Sequence, residues 1–170
     1  PNNPTGAVAT KAFYEKLVAW AKTYEVGVVS DLAYGALGYQ GYENPSFLST
    51  PGAKDVGIEF YTFSKTFNMA GWRLAFAAGN DQMIEALNLI QDHLFVGIFP
   101  ALQEAGIAAL FDPKSEEAVA QLNATYDSRR DAFVQTASKI GWQAFPSRGS
   151  FYAWMPVPEG DTSESFADLL

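Results

Sequence analysis

Lys65 lies in Tyr61-Thr62-Phe63-Ser64-Lys65-Thr66-Phe67-Asn68-Met69-Ala70-Gly71-Trp72-Arg73, where hydroxyls bracket it and Arg73 closes an otherwise apolar run. Val56 to Phe63 reads as a buried strand and Ser64 onward as the loop at its carboxyl end, the place where open α/β sheets bind ligands. An amine there, partly withdrawn from water and near a second cation, can attack an aldehyde. Thr62, Ser64 and Arg73 offer the donors that a phosphate needs. A ligand that is both aldehyde and phosphate ester suits this cluster. A buried lysine paired with a distant carboxylate is the structural alternative.

A second segment, Val26-Gly27-Val28-Val29-Ser30-Asp31-Leu32-Ala33-Tyr34-Gly35, ends a β-branched run in a carboxylate and places a phenol three residues later. Asp31 therefore also falls at the carboxyl end of a strand. Pyridoxal 5'-phosphate (PLP) carries the aldehyde and phosphate already inferred, and it needs an acid to keep its pyridine nitrogen protonated so that the ring draws electrons. Asp31 fits that need, and Tyr34 can donate to the ring's 3-hydroxyl oxygen. Helix capping for Asp31 and core or turn packing for Tyr34 are the plainer fates of such residues. The amino-terminal Pro1-Asn2-Asn3-Pro4-Thr5-Gly6 is a φ-restricted loop able to aim a side-chain amide, or a simple turn before a helix.

Together the three segments resemble the fold-type I PLP-dependent enzymes, specifically the class I and II aminotransferases. That family shows Asn-Pro-Thr-Gly, Asp-x-x-Tyr, and Ser-Lys with Arg eight residues on, in this order. Here they are Asn3-Pro4-Thr5-Gly6, Asp31-Leu32-Ala33-Tyr34, and Ser64-Lys65 with Arg73. The resemblance implies that Lys65 bonds the cofactor aldehyde, Asp31 pairs with the pyridine nitrogen, and Tyr34 and Asn3 bond the phenolic oxygen. Thr62, Ser64 and Arg73 would hold the phosphate, with Lys65, Asp31 and Tyr34 as the catalytic set and no metal. It further implies an intact homodimer acting on an amino acid and a 2-oxo acid. The text of Ile58–Gly79 and Leu89–His93 is similar to bacterial enzymes for diaminopimelate-type or other amino acids. A PLP-dependent carbon–sulfur β-lyase would use the same residues, and a PLP- or amino-acid-sensing domain of a transcription regulator would share the fold.

The expected fold class is α/β. Residues 1–112 form part of a large PLP-binding domain, three-layer αβα with a mostly parallel sheet. Residues 113–141 form an interdomain helix and residues 142–170 begin a small α+β domain. Pro1 opens on a motif, and the segment Thr162–Leu170 reads as a capped helix cut after two turns. The chain is thus expected to be internal to a longer enzyme. An upstream phosphate-binding helix, a stacking aromatic and a carboxylate-binding arginine are all unassigned. Arg148 invites the last role but precedes the region where the family keeps that arginine.

Composition bounds the alternatives. No cysteine is present, so disulfides and thiolate metal sites are excluded, and the single histidine, His93, rules out a histidine cluster. His93 reads as a packed core residue. The net charge of −8 argues against nucleic-acid binding, and no apolar run reaches membrane-spanning length. A cytoplasmic enzyme is expected.

The positioning elements follow from periodicity and punctuation. Thr10 caps a helix to about Tyr24 with Phe13, Leu17, Trp20 and Ala21 on its apolar face. Gly35 to Gly57 is a long connection pinned by Tyr39, Tyr42 and Phe47. Trp72 to Ala78 forms another strand, and Asp81 caps a helix through about His93. Phe95 to Phe99 serves either a subunit contact or the core. Pro100 starts a helix to Phe111, and a long helix opens at Ser115 and stops at Gly141. Trp142–Phe145 and Ser150–Val157 are expected strands, with Tyr152 a minor site candidate.

Overall fold

A computed structural model describes residues 1–169. Its centre is a three-stranded sheet in the order β1-β2-β3, formed by Val28–Asp31 (β1), Gly57–Thr62 (β2) and Ala75–Gly79 (β3). β1 and β2 run parallel, with Asp31 opposite Phe60, while β2 and β3 run antiparallel, with Thr62 opposite Ala75. Parallel pairing requires a crossover. The chain supplies it through the long connection, a 3₁₀ turn at Phe47–Ser49 and the short helix α2, Ala53–Val56.

Helix α1, Lys11–Tyr24, begins where the Thr10 hydroxyl accepts from Phe13 N, as the sequence predicts. Its inward face is displaced from the predicted one. Val18 and Ala21 are buried with Tyr14 and Leu17 beside them, whereas Phe13 and Trp20 are about half exposed. Both sets have helical spacing and share Leu17 and Ala21, so periodicity alone does not choose between them. The chosen face packs on Phe47 and Ala53 of the connection. Tyr39 and Phe47 are buried and the Tyr42 hydroxyl donates to Ala9 O, so the aromatic residues do pin this connection.

Glu59 on β2 is buried with no cation paired to it among the described residues. Its carboxylate accepts from Ser30 Oγ at 2.9 Å, Ser46 Oγ at 2.5 Å and Phe47 N at 2.8 Å, tying β1 and the connection to the central strand. A buried carboxylate is tolerated when donors surround it.

After β2 the chain forms one turn of helix, α3, Phe63–Thr66, capped by the Thr62 hydroxyl, where a loop was expected. The next strand starts later than predicted. A 3₁₀ turn takes Ala70–Trp72, and Arg73 adopts a left-handed conformation before β3. Asn80, not Asp81, caps α4, Asp81–Leu94, and on α4 His93 is exposed, contrary to the core expectation. Phe95 to Phe99 is exposed as well, which removes its core reading.

Helix α5, Pro100–Phe111, approaches α3 through Gly106, where an added Cβ would come within 2.7 Å of Leu74 and 3.3 Å of Phe63. Helix α6, Ser115–Lys139, ends two residues before Gly141, which has φ of 79°. Beyond it the expected strands do not form. Residues 142–157 follow an irregular path whose sheet-like pairing is confined to one bridge, Gly38 to Gly149. Strands need a neighbour's ladder, and none faces this segment among the described residues. Instead Trp142 Nε1 bonds Pro156 O, and the Trp142 ring packs on Phe166 of α7, Ser163–Ala167. Thr162 and Ser165 make the expected capping box, and Leu170, the end of the predicted helix, lies outside the described residues.

Glu59→Ala strands three donors in the interior. It is expected to cost about 3 kcal/mol of stability, read from the midpoint of a urea denaturation curve.

Candidate active site

The parallel register brings Asp31 and the lysine turn to the same edge of the sheet. Asp31 closes β1, and Leu32 N continues the ladder by donating to Phe60 O at 2.9 Å. Two residues past Phe60, Thr62 ends β2 and caps the turn that carries Lys65. The Thr62 hydroxyl donates to Ser64 Oγ at 2.9 Å and accepts from Ser64 N at 3.2 Å. Leu74 O accepts from Phe63 N at 3.2 Å and from the Thr62 hydroxyl at 3.3 Å, which fastens the residue after Arg73 to the same turn. Arg73 itself is exposed, and one of its nitrogens donates to Ala70 O at 2.8 Å.

Asn3, Tyr14, Asp31 and Tyr34 line a cleft of about 730 Å³. The loop holding Asn3 is folded on Asn2, whose side-chain oxygen accepts from the Thr5 hydroxyl at 2.8 Å and whose carbonyl accepts from Gly6 N at 2.9 Å. Asp31 is exposed. One of its carboxylate oxygens accepts from Ala33 N at 3.0 Å, which closes a turn; no helix starts there for Asp31 to cap. Tyr34 is buried. Burial pushes its phenol up to about 12, aided by the hydrogen bond to Tyr152 and by the nearby Asp31 charge, while the Asn3 amide pulls the other way. Tyr34 therefore stays a protonated donor at neutral pH.

Lys65 does not line that cleft and reaches Tyr34 through an intermediary. Its Nζ lies 5.5 Å from the centre of the Phe151 ring, and that ring packs edge-on against Tyr34 at 5.4 Å. Tyr152, next to it, places its hydroxyl 3.1 Å from that of Tyr34. From the sequence, Phe151 reads as part of a strand and Tyr152 as a minor site candidate. The available signal was Gly149-Ser150 directly before two aromatics, since a sharp turn there presents both rings to one side. Arg148 packs its guanidinium 5.7 Å from the Tyr42 ring centre and does not line the cleft.

The profile of the aminotransferase class I and II family matches residues 1–170. The chain belongs to the class I and II aminotransferases. It is 56% identical over 170 residues to the L-glutamine--4-(methylsulfanyl)-2-oxobutanoate aminotransferase of Bacillus subtilis (strain 168), covering 100% of this chain and 42% of that protein. It is 47% identical to the LL-diaminopimelate aminotransferase of Moorella thermoacetica, again across 100% of this chain and 43% of the relative. Among solved structures, apo-BacF from Bacillus subtilis superposes with a TM-score of 0.94 at 47% identity, covering 99% of this chain and 42% of that one. The chain thus spans less than half the length of these relatives. Membership in the aminotransferases implies PLP as cofactor, and the donor set is chemically suited to it. The chain carries a strand-end carboxylate, a protonated phenol, an amide, paired hydroxyls, a guanidinium and an amine, groups of the kinds that such a cofactor can bind.

Tyr34 and Tyr39 are both held up to about 12 against an ordinary 10.0, so the folded state keeps two protons that the unfolded chain releases first. Their contribution to stability is complete below pH 10 and disappears as pH rises towards 12. Tyr34→Phe should flatten that alkaline decline, measured by denaturation at a series of pH values.

Proposed function

We propose that the protein carrying this chain is a PLP-dependent aminotransferase, moving an amino group between an amino acid and a 2-oxo acid. The observation that supports this most strongly is the shared edge of β1 and β2, which sets Asp31 beside the lysine turn in a chain that matches the family throughout. When bound, the cofactor supplies an aldehyde that condenses with amines and a cationic ring that withdraws electrons. Lys65 would hold the aldehyde carbon through Nζ, and its amine, when free, would accept the proton at the substrate Cα. Asp31 keeps the ring nitrogen protonated. Tyr34 and Asn3 donate to the ring oxygen, and Thr62, Ser64 and Arg73 hold the phosphate.

The relatives are named for glutamine, 4-(methylsulfanyl)-2-oxobutanoate and LL-diaminopimelate, so the substrate class is a small amino acid with its oxo-acid partner. In this reading the chain divides into residues 1–112, 113–141 and 142–170, with α6 as the connector. A cytoplasmic homodimer fits the family, with the exposed Phe95–Phe99 segment as a subunit contact. No helix among the described residues is long and apolar enough to cross a membrane.

In the full-length protein, Lys65→Ala is expected to abolish the visible band of lysine-bound cofactor and its borohydride-reducible adduct. A reducible adduct surviving in that variant overturns the assignment. Mixing the wild-type protein with amino acids should yield pyridoxamine phosphate; pyruvate and ammonia instead would identify the β-lyase reaction. Asp31→Asn is expected to lower turnover about 100-fold or more, followed by oxo-acid formation.

A further inference from the structure

Tyr34 has one proton and two competing acceptors for it. A bound PLP ring oxygen is one, and the Tyr152 hydroxyl, 3.1 Å away with either oxygen able to donate, is the other. An ionised acceptor makes a hydrogen bond roughly twice as strong as a neutral one, so an anionic ring oxygen takes the Tyr34 proton. In the cofactor-free chain the bond raises the Tyr34 phenol, as a bond that Tyr34 itself donates does; once the ring oxygen takes that proton, the Tyr152 hydroxyl can turn to donate to the Tyr34 oxygen beside the Asn3 amide.

We propose that Tyr152 is a positioning residue for Tyr34, donating to its hydroxyl so that the single Tyr34 proton is aimed at the ring oxygen of bound PLP. The proposal rests on the PLP reading above.

The pair is built into the backbone. Ser150, two residues before Tyr152, is buried in a left-handed conformation with φ of 65°. Its N–H donates to Leu37 O at 3.3 Å, and its carbonyl accepts from the Tyr39 hydroxyl. Tyr39 N donates to Arg148 O at 3.0 Å, and Gly38 bridges Gly149. A Cβ on Gly149 would stand 2.4 Å from Leu37 O, so the two strings of backbone meet where only glycine fits. Arg130 of α6 donates to Ser147 O at 3.1 Å from the other side. The segment holding Tyr152 is therefore bonded to residues 37–39, directly after Tyr34. Edge-on packing of Tyr152 on Tyr34, ring centres 5.8 Å apart, fixes the remaining freedom. The charged and titratable groups around Tyr34 are Asp31 and Tyr152, with Lys65 reaching the cluster over Phe151.

The test uses the full-length holoenzyme and a pH titration of its visible band. A donor to the ring oxygen stabilises negative charge there and weakens that oxygen's hold on the proton of the neighbouring lysine-bound nitrogen. Weakening the donor raises the titration midpoint. Tyr152→Phe keeps the ring packing and is expected to raise the midpoint by about half a unit, with cofactor retention unchanged. Tyr34→Phe should raise it further, and the double variant should match Tyr34→Phe alone, because Tyr152 acts only through Tyr34. A wild-type midpoint in Tyr152→Phe, or shifts that add in the double variant, overturns the positioning role. A wild-type protein without any lysine-bound band overturns the PLP reading and this proposal together.

Discussion

Parallel pairing of β1 with β2 is the constraint from which the rest of the site hangs. Two strands that run the same way must finish on the same edge, so a carboxylate at the end of one and a lysine turn at the end of the other become neighbours without any contact between their side chains. Glu59 holds the pairing in register from inside, with donors from β1 and from the connection converging on one carboxylate. Antiparallel β3 then returns Leu74 O to the start of the lysine turn. The edge is thus closed from both sides by hydrogen bonds, and Thr62 and Ser64 take part in closing it.

The opposite wall is assembled differently. Asn44 Nδ2 donates to Gly35 O and Leu37 O at 3.1 Å each, Asn123 of α6 donates to Ala36 O at 2.7 Å, and Ser150 bonds Leu37. The loop after Tyr34 is fixed by polar bonds from three separate parts of the chain. Arg130 extends this network. Its largely buried side chain pairs with Asp127 at 2.5 Å and Asp131 at 2.6 Å, bonds Ser147 O, and lies 5.1 Å from the Tyr39 ring centre. A planar guanidinium can serve carboxylates, a carbonyl and an aromatic face at once, which a lysine cannot. Directional bonds define where this wall stands.

Local chemistry was readable wherever it was encoded locally. Thr10 announces α1, Thr162 the last turn, and the order of Asn3, Asp31, Tyr34, Lys65 and Arg73 carries the family likeness. Whatever depended on distant partners was not readable. The turn of α1 about its axis was set by Phe47 and Ala53, neither of which its own periodicity can sense. Residues 150–157 carry a continuous apolar and aromatic run that reads as a strand, but have no neighbour to pair with among the described residues. Phe151 and Tyr152 look like core residues until the Gly38 to Gly149 bridge carries them to Tyr34, more than a hundred positions earlier in the chain.

Helix α5 is apolar apart from Gln103 and Glu104, yet only Gly106 of it is buried; Ile107, Leu110 and Phe111 are exposed, as is Phe76 of β3. Soluble monomers seldom leave so much contiguous apolar surface in water. With that surface uncovered, the 170-residue polypeptide is expected to self-associate. Its behaviour in dilute buffer reports the colloidal chemistry of that surface before it reports anything about the lysine.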